Sequence, residues 1–282
     1  MPIRFTKMHG LGNDFVVVSL FDQHVADPAA LARAVGDRRR GVGSDGLILV
    51  APPADEQADV CMIMFNPDGS RAEMCGNGIR CLARLVHERG LVRRNPLRVA
   101  TDAGVLPLEL NVDAAGDVYG VRVAMGRPVL EPQRIPVSLA GDRVVRVPLS
   151  LGDLNLTMTC LSMGNPHAVF FTPDLAGVPV ADWGPRIETH ALFPQRINVH
   201  FVQVLSRSRV RMATWERGAG LTQACGTGAC AVCVAGVLND LTERTITAEL
   251  PGGELELHWD QQSAQVYMTG PATEVFTGTW PD

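Results

Sequence analysis

The chain of 282 residues contains one lysine, Lys7, and carries nearly all its positive charge on arginine. A pyridoxal enzyme holds its cofactor through a lysine Schiff base. Lys7 falls on a predicted N-terminal strand with no phosphate-binding loop beside it, so pyridoxal chemistry is not expected. No apolar run reaches the 18 or so residues of a membrane span. The start, Met1-Pro2-Ile3-Arg4-Phe5-Thr6-Lys7, lacks the charged segment and apolar core of a secretion signal. A surplus of positive charge is missing too: the net charge is −5 and the pI near 5.8, which argues against nucleic acid as a partner. The run Arg38-Arg39-Arg40 is local and reads as a solvated loop. Seven cysteines, an odd number in a chain too large to need staples, fit a reducing cytoplasm.

What is present is a repeat. Glu73-Met74-Cys75-Gly76-Asn77-Gly78 and Gln223-Ala224-Cys225-Gly226-Thr227-Gly228 each lead into an apolar run with helical spacing. Phe65-Asn66 and Trp215-Glu216 precede the two cysteines at the same offset of 150 residues, and Gly12-Asn13 and Gly164-Asn165 recur at 152. Three anchors in constant order indicate a duplicated unit offering one cysteine per copy. A cysteine at a helix start meets unpaired N–H groups and the positive end of the helix dipole. Its pKa is expected to fall from about 8.5 towards roughly 3.5–7.5. The glycines beside it let a carboxylate approach the backbone amides.

Taken in order, residues 3–20 read as strand, loop, strand around Gly10-Leu11-Gly12-Asn13-Asp14. Asp27-Pro28 opens a short helix that Gly36 stops. Gly41-Val42-Gly43-Ser44-Asp45-Gly46 spells G-x-G-x-x-G, but a helix precedes it and the strand Leu47-Ile48-Leu49-Val50 follows, the reverse of a dinucleotide site. Val60 to Phe65 reads as a buried strand, and a helix after Cys75 ends at Gly90. Residues 97–123 read as short strands, and the domain break is expected near Gly126-Arg127-Pro128. In the second half Asn165-Pro166-His167 enters a strand, a Pro- and Gly-rich connection follows, and Asn198 heads the next strand. The helix from Ala229 to Leu238 is apolar on every side and must be wrapped. Cys225, Cys230 and Cys233 contain a C-x-x-C, but the last two lie inside that helix, where cysteine packs as a small hydrophobe, so no metal is expected.

The set Gly12-Asn13-Asp14-Phe15, Met74-Cys75-Gly76-Asn77-Gly78, Met163-Gly164-Asn165-Pro166-His167, Trp215-Glu216-Arg217-Gly218 and Ala224-Cys225-Gly226-Thr227-Gly228 resembles the diaminopimelate epimerase family. The likeness runs from Lys7-Met8-His9-Gly10 through Leu250-Pro251-Gly252-Gly253 to Met268-Thr269-Gly270. It implies a cofactor-independent isomerase interconverting LL- and meso-2,6-diaminopimelate on the path to lysine and peptidoglycan. The fold expected is α/β (α+β): two pseudo-symmetric domains, each a curled, mostly antiparallel sheet around a central helix, with the active site in the cleft between them. The expected halves are 1–126 with 268–282, carrying Cys75, and 127–267, carrying Cys225.

By the same resemblance Cys75 and Cys225 form the acid/base pair, and Gly76, Asn77, Gly226 and Thr227 hold the reacting carboxylate. Asn13, Asn66, Asn165, Asn198 and Arg217 hold other parts of the substrate, with Glu216 beside them, and His167 and Glu216 tune the thiols. Gly46 stands where some relatives carry glutamine, so no side-chain contact carries over there. Thr227 stands where serine also occurs. The partner expected is a small amino acid, with neither membrane nor nucleic acid, and a homodimer is compatible with the pattern. Two other readings stay open: a related cofactor-independent racemase or epimerase of histidine, proline or hydroxyproline type, and a non-catalytic amino-acid-binding relative.

Overall fold

The computed structural model describes residues 2–72, 75–102, 104–152 and 154–281. Glu73 and Met74, part of the first cysteine motif, lie outside the described residues. The chain divides into two units, Met1–Ala124 with Thr269–Asp282, and Met125–Met268.

In the first unit, Leu11 (φ 57°) and Gly12 (φ 82°) close a two-residue turn between antiparallel strands Ile3–Gly10 and Asn13–Ser19, with Gly10 opposite Asn13. Positive φ at both central residues matches the twist of the strands it joins. The turn thereby fixes Asn13 at the head of its strand. Helix α1 (Pro28–Gly36) follows, with the Asp27 side chain accepting from the Ala30 amide at 2.9 Å and proline at its first position. The strand Gly46–Ala51 runs parallel to Asn13–Ser19, and Val60–Phe65 is antiparallel to it. Val16, Val18, Leu47 and Leu49 pack with Leu31 and Val35 of α1. Their other face meets helix α2 (Gly76–Glu88), so both strands are covered twice and read as unbroken apolar runs. Val60–Phe65 is buried on one face only, Val60, Met62 and Met64, rather than throughout. The last strand, Thr273–Trp280, pairs antiparallel with Ile3–Gly10.

The second unit repeats the plan. Strands Pro166–Phe171 and Asn198–Ser206 run parallel, as do Arg209–Glu216 and Thr245–Leu250, while Leu154–Ser162 pairs antiparallel with Pro166–Phe171, Asn198–Ser206 with Arg209–Glu216, and Thr245–Leu250 with Gly253–Trp259. The first unit likewise has two parallel pairs, the second being Val60–Phe65 with Leu97–Thr101. Between the first two of these strands lies helix α3 (Val180–Glu188), where the sequence reads as a connection. Gly184 and Pro185 disguise it. Pro185 sits within the helix, and Gly184 exists to pass the Trp215 ring, whose atoms a Cβ would meet at 2.5 Å. Ile187 of α3 joins Phe170, Val199 and Phe201 in the core. Helix α4 (Gly226–Leu238) is buried continuously from Gly228 to Gly236, as its apolar girth requires.

Candidate active site

Cys75 and Cys225 each occupy the N-cap of a 13-residue helix, with extended backbone angles (φ −135° and −123°). The first-turn amides of a helix have no partner within the helix, so those at Gly76 and Asn77, and at Gly226 and Thr227, can serve a ligand, while the Gly228 amide reaches the Cys225 thiol. The cysteine carbonyls start the helices by accepting from Ile79 and Ala229, both at 2.9 Å. Both cysteines thus sit where the repeat puts them, at helix starts whose dipole favours an anion.

In the first unit the half-buried Cys75 thiol donates to Asn13 Oδ1 at 3.7 Å, and Asn77 Nδ2 donates to the same oxygen at 3.2 Å. Arg80, with no exposed surface, ties this corner down: it donates to Asn77 Oδ1 and the Gly76 carbonyl, both at 3.0 Å, and to the Pro271 carbonyl at 3.1 Å. A Cβ at Gly10 would meet Arg80 Nη2 at 2.9 Å, so glycine there makes room for the guanidinium. Asn13 Nδ2 donates to Asp45 at 2.7 Å, and Arg38 bridges Asp45 and Asp14. Lys7, only 7% exposed, pairs with Asp14 and donates to the Gly43 carbonyl. Hydrogen bonds from Arg38 and Lys7 outweigh burial and hold the Asp14 carboxyl at about 2. The G-x-G-x-x-G loop is therefore a scaffold under Asn13, with α1 before it and a strand after it. Asn66 donates to Ser70 Oγ at 2.9 Å within its own turn.

In the second unit Cys225 is 4% exposed, 3.7 Å from Thr227 Oγ1. Burial first, then the Glu216 carboxylate, pushes its thiol up, against the opposing pull of the Gly228 N–H and the Thr227 hydroxyl. This reverses the expectation for a cysteine at a helix start. The dipole favours a thiolate, but removal from water and a neighbouring negative charge favour the thiol more strongly. His167 and His200, both fully buried, share a hydrogen bond of 2.9 Å between Nδ1 and Nε2. His167 Nε2 lies 2.8 Å from Asn165 Oδ1, and His200 Nδ1 lies 2.9 Å from Thr214 Oγ1. Burial lowers both imidazoles, His200 to about 3, so this relay is neutral. His167 thus reaches Asn165 directly.

The Trp215–Gly218 turn is held from two sides. Asn198 accepts from the Arg217 amide at 2.9 Å and donates to the Pro166 carbonyl at 2.8 Å. Glu188, 5% exposed at the end of α3, accepts from the Trp215 indole at 2.7 Å and the Gly218 amide at 3.0 Å. Arg217 is exposed and donates to the Gln195 carbonyl at 3.1 Å.

Sequence reasoning missed Asp45, Arg80, Glu188, His200 and Thr214. Only His200 left a signal: in a strand it shares a face with Asn198, two residues back. None of the seven cysteines is in a disulfide. Cys230 and Cys233 are buried within α4, Cys233 donating to the Arg244 carbonyl at 3.6 Å with its thiol pushed up to about 12 by burial. Among the described residues no group of three or more His, Cys, Asp or Glu could hold a metal ion, and no helix is long and apolar enough to cross a membrane.

A family profile described as Diaminopimelate epimerase matches residues 5–131 and 159–275. The diaminopimelate epimerase of Moorella thermoacetica is 52% identical over 280 residues, 99% of each chain. That of Acetivibrio thermocellus is 49% identical over 276 residues, 98% of each. Among solved structures, a Bacillus anthracis phenazine biosynthesis protein of the PhzF family matches at TM-score 0.70 and 17% identity, over all of both chains. An Agrobacterium vitis hydroxyproline epimerase with bound trans-4-hydroxy-L-proline matches at TM-score 0.70 and 14% identity, over 99% of this chain and 92% of that one. At such identities these two structures speak for the fold alone.

Proposed function

Since the chain belongs to the diaminopimelate epimerase family, we propose that it interconverts LL- and meso-2,6-diaminopimelate by proton transfer between Cys75 and Cys225. The observation that carries this reading is the repeated cysteine N-cap: one thiol per unit, each at the start of a 13-residue helix.

Inverting an amino-acid centre removes a weakly acidic Cα proton and returns another to the opposite face. One group cannot readily serve both faces. Two thiols, one deprotonated and one protonated, do so in either direction and exchange roles each turnover. Glu216, whose side chain is hydrogen-bonded to the Cys225 thiol, is placed to take its proton. Positioned proton transfer contributes about 10²–10⁴-fold, too little for so weak an acid. The amides of Gly76, Asn77, Gly226 and Thr227 supply the remainder by stabilising charge that develops on the substrate carboxylate.

Asn13, Asn66, Asn165, Asn198 and Arg217 are assigned to the rest of the substrate, with His167 acting on Asn165 through their 2.8 Å contact. The exposed guanidinium of Arg217 suits a second carboxylate. A substrate with two amino-acid ends is preferred on this ground over the shorter substrates of the related racemases. We also assign a cytoplasmic location, where reactive thiols stay reduced; gel filtration with light scattering tests whether the chain forms a homodimer.

Incubating the protein with LL-diaminopimelate in deuterated water, without pyridoxal phosphate or metal, tests the reading. Meso product carrying one deuterium at the inverted centre is expected. Exchange with proline or histidine but not with diaminopimelate would move the assignment to a related racemase.

A further inference from the structure

Asp45 sits on the loop between α1 and the strand Gly46–Ala51, and the proposed proton transfer leaves it unused. One of its carboxylate oxygens takes the Asn13 side-chain amide at 2.7 Å and the Asp14 backbone amide at 3.0 Å, while the other takes Arg38 at 2.7 Å. A carboxylate paired with arginine accepts and does not donate. The two ends of the Asn13 amide are therefore not interchangeable: turning it over would set oxygen against oxygen. With its nitrogen fixed on Asp45, Asn13 must present Oδ1 to the Cys75 thiol, 3.7 Å away, and to Asn77 Nδ2 at 3.2 Å. Arg38 and the neighbouring pair of Lys7 with Asp14 keep Asp45 from following the amide if it turns.

We propose that Asp45 is a positioning residue for Cys75: by holding the nitrogen of Asn13 it keeps an acceptor oxygen on the sulfur, so that Cys75 rests as a thiol with its proton aimed. This deepens the reading of Cys75 as one of the two proton carriers and rests on it. Released from Asp45, the amide is kept in this sense only by the 3.2 Å contact from Asn77 Nδ2, itself oriented by Arg80, and any turning of its N–H groups to the sulfur favours the thiolate. The titratable and charged groups around this corner are Lys7, His9, Asp14, Arg38 and Asp45 on the first strands and the loop, and Arg80 and Cys81 on α2.

The test uses the full chain and two readouts, epimerase turnover and the pH profile of iodoacetamide labelling of Cys75, the latter followed on its peptide by mass spectrometry. Asp45→Ala should lower kcat/KM about tenfold to a hundredfold, the scale of one lost hydrogen bond to a charged group, and shift Cys75 labelling to lower pH. Asp45→Glu, which keeps an acceptor-only group, should restore a labelling profile near that of the wild type and part of the turnover. Asp14→Asn removes equal charge and leaves Asp45 on Asn13, so it should shift labelling less than Asp45→Ala. An unshifted profile in Asp45→Ala, or an equal shift in Asp14→Asn, overturns the proposal. Labelling needs no substrate, so a failed substrate assignment would not be confused with a failed role for Asp45. Should Asp45→Ala not fold, a neutron structure of the wild type decides: deuterons on the Asn13 nitrogen facing Asp45 are expected, and deuterons facing the sulfur overturn it.

Discussion

His167 and His200, both fully buried, are joined by one hydrogen bond, and that has a measurable cost in acid. Both imidazoles are lowered by burial, His200 to about 3. Below about pH 6.5 the unfolded chain therefore binds protons that the folded chain refuses, and stability falls as pH falls. The slope is about 1.4 kcal/mol per pH unit for each ring once the free imidazole is protonated. Urea unfolding should show a loss of about 2–4 kcal/mol between pH 7 and pH 5, and His200→Gln should remove roughly half of it. Equal stability at the two pH values would contradict the neutral relay. Cys75, Cys225, Asn13 and Asn165 were legible in the sequence because each has a copy, and repetition at fixed offset has no packing explanation. Asp45, Glu188 and His200 have no copy, and their partners Asn13, Trp215 and His167 lie 32, 27 and 33 residues away. At that distance an isolated carboxylate reads as a solvated charge and an isolated histidine as a strand residue.

Helices α2 and α4 begin alike and pack differently, which sorts the glycines at their third positions. A Cβ at Gly228 would meet His200 Cε1 at 2.3 Å and Cys225 Sγ at 3.0 Å, and His200 cannot retreat because His167 and Thr214 hold it. A Cβ at Gly78 would meet the flexible ends of Ile48, at 2.8 Å, and Met62, at 3.3 Å, with Cys75 Cβ at an ordinary 3.6 Å. Gly228→Ala is expected to cost about 1–3 kcal/mol by overpacking and to abolish turnover. Gly78→Ala should cost less, and thermal melting of the two variants compares them. Equal melting temperatures would mean that the His200 ring yields. Further along α4, Cys233→Ala should leave turnover intact, since that thiol faces the Arg244 carbonyl and not the helix start. The apolar girth of α4 and the Asp27-Pro28 start of α1 announced those elements. Helix α3 stayed hidden because Gly184 and Pro185 are locally helix breakers, and only the tertiary contact with the Trp215 ring explains the glycine.

The molecule repeats one plan twice: a parallel strand pair, a helix on one face, and a cysteine-headed helix on the other. That plan was visible in the sequence as an offset of 150 residues between cysteines, and the matched parallel pairs show it in three dimensions. The unit boundaries fall at Ala124 and Thr269. The sole lysine of the chain is buried and paired with Asp14, so pyridoxal phosphate followed by borohydride should leave turnover unchanged. Inactivation together with a labelled Lys7 would contradict this. The two-thiol claim is met most directly by measuring LL-diaminopimelate epimerisation in Cys75→Ala and in Cys225→Ala, each folded as judged by its melting curve. Turnover should vanish in both, because a single thiol serves a single face. Wild-type turnover in either variant would contradict the account.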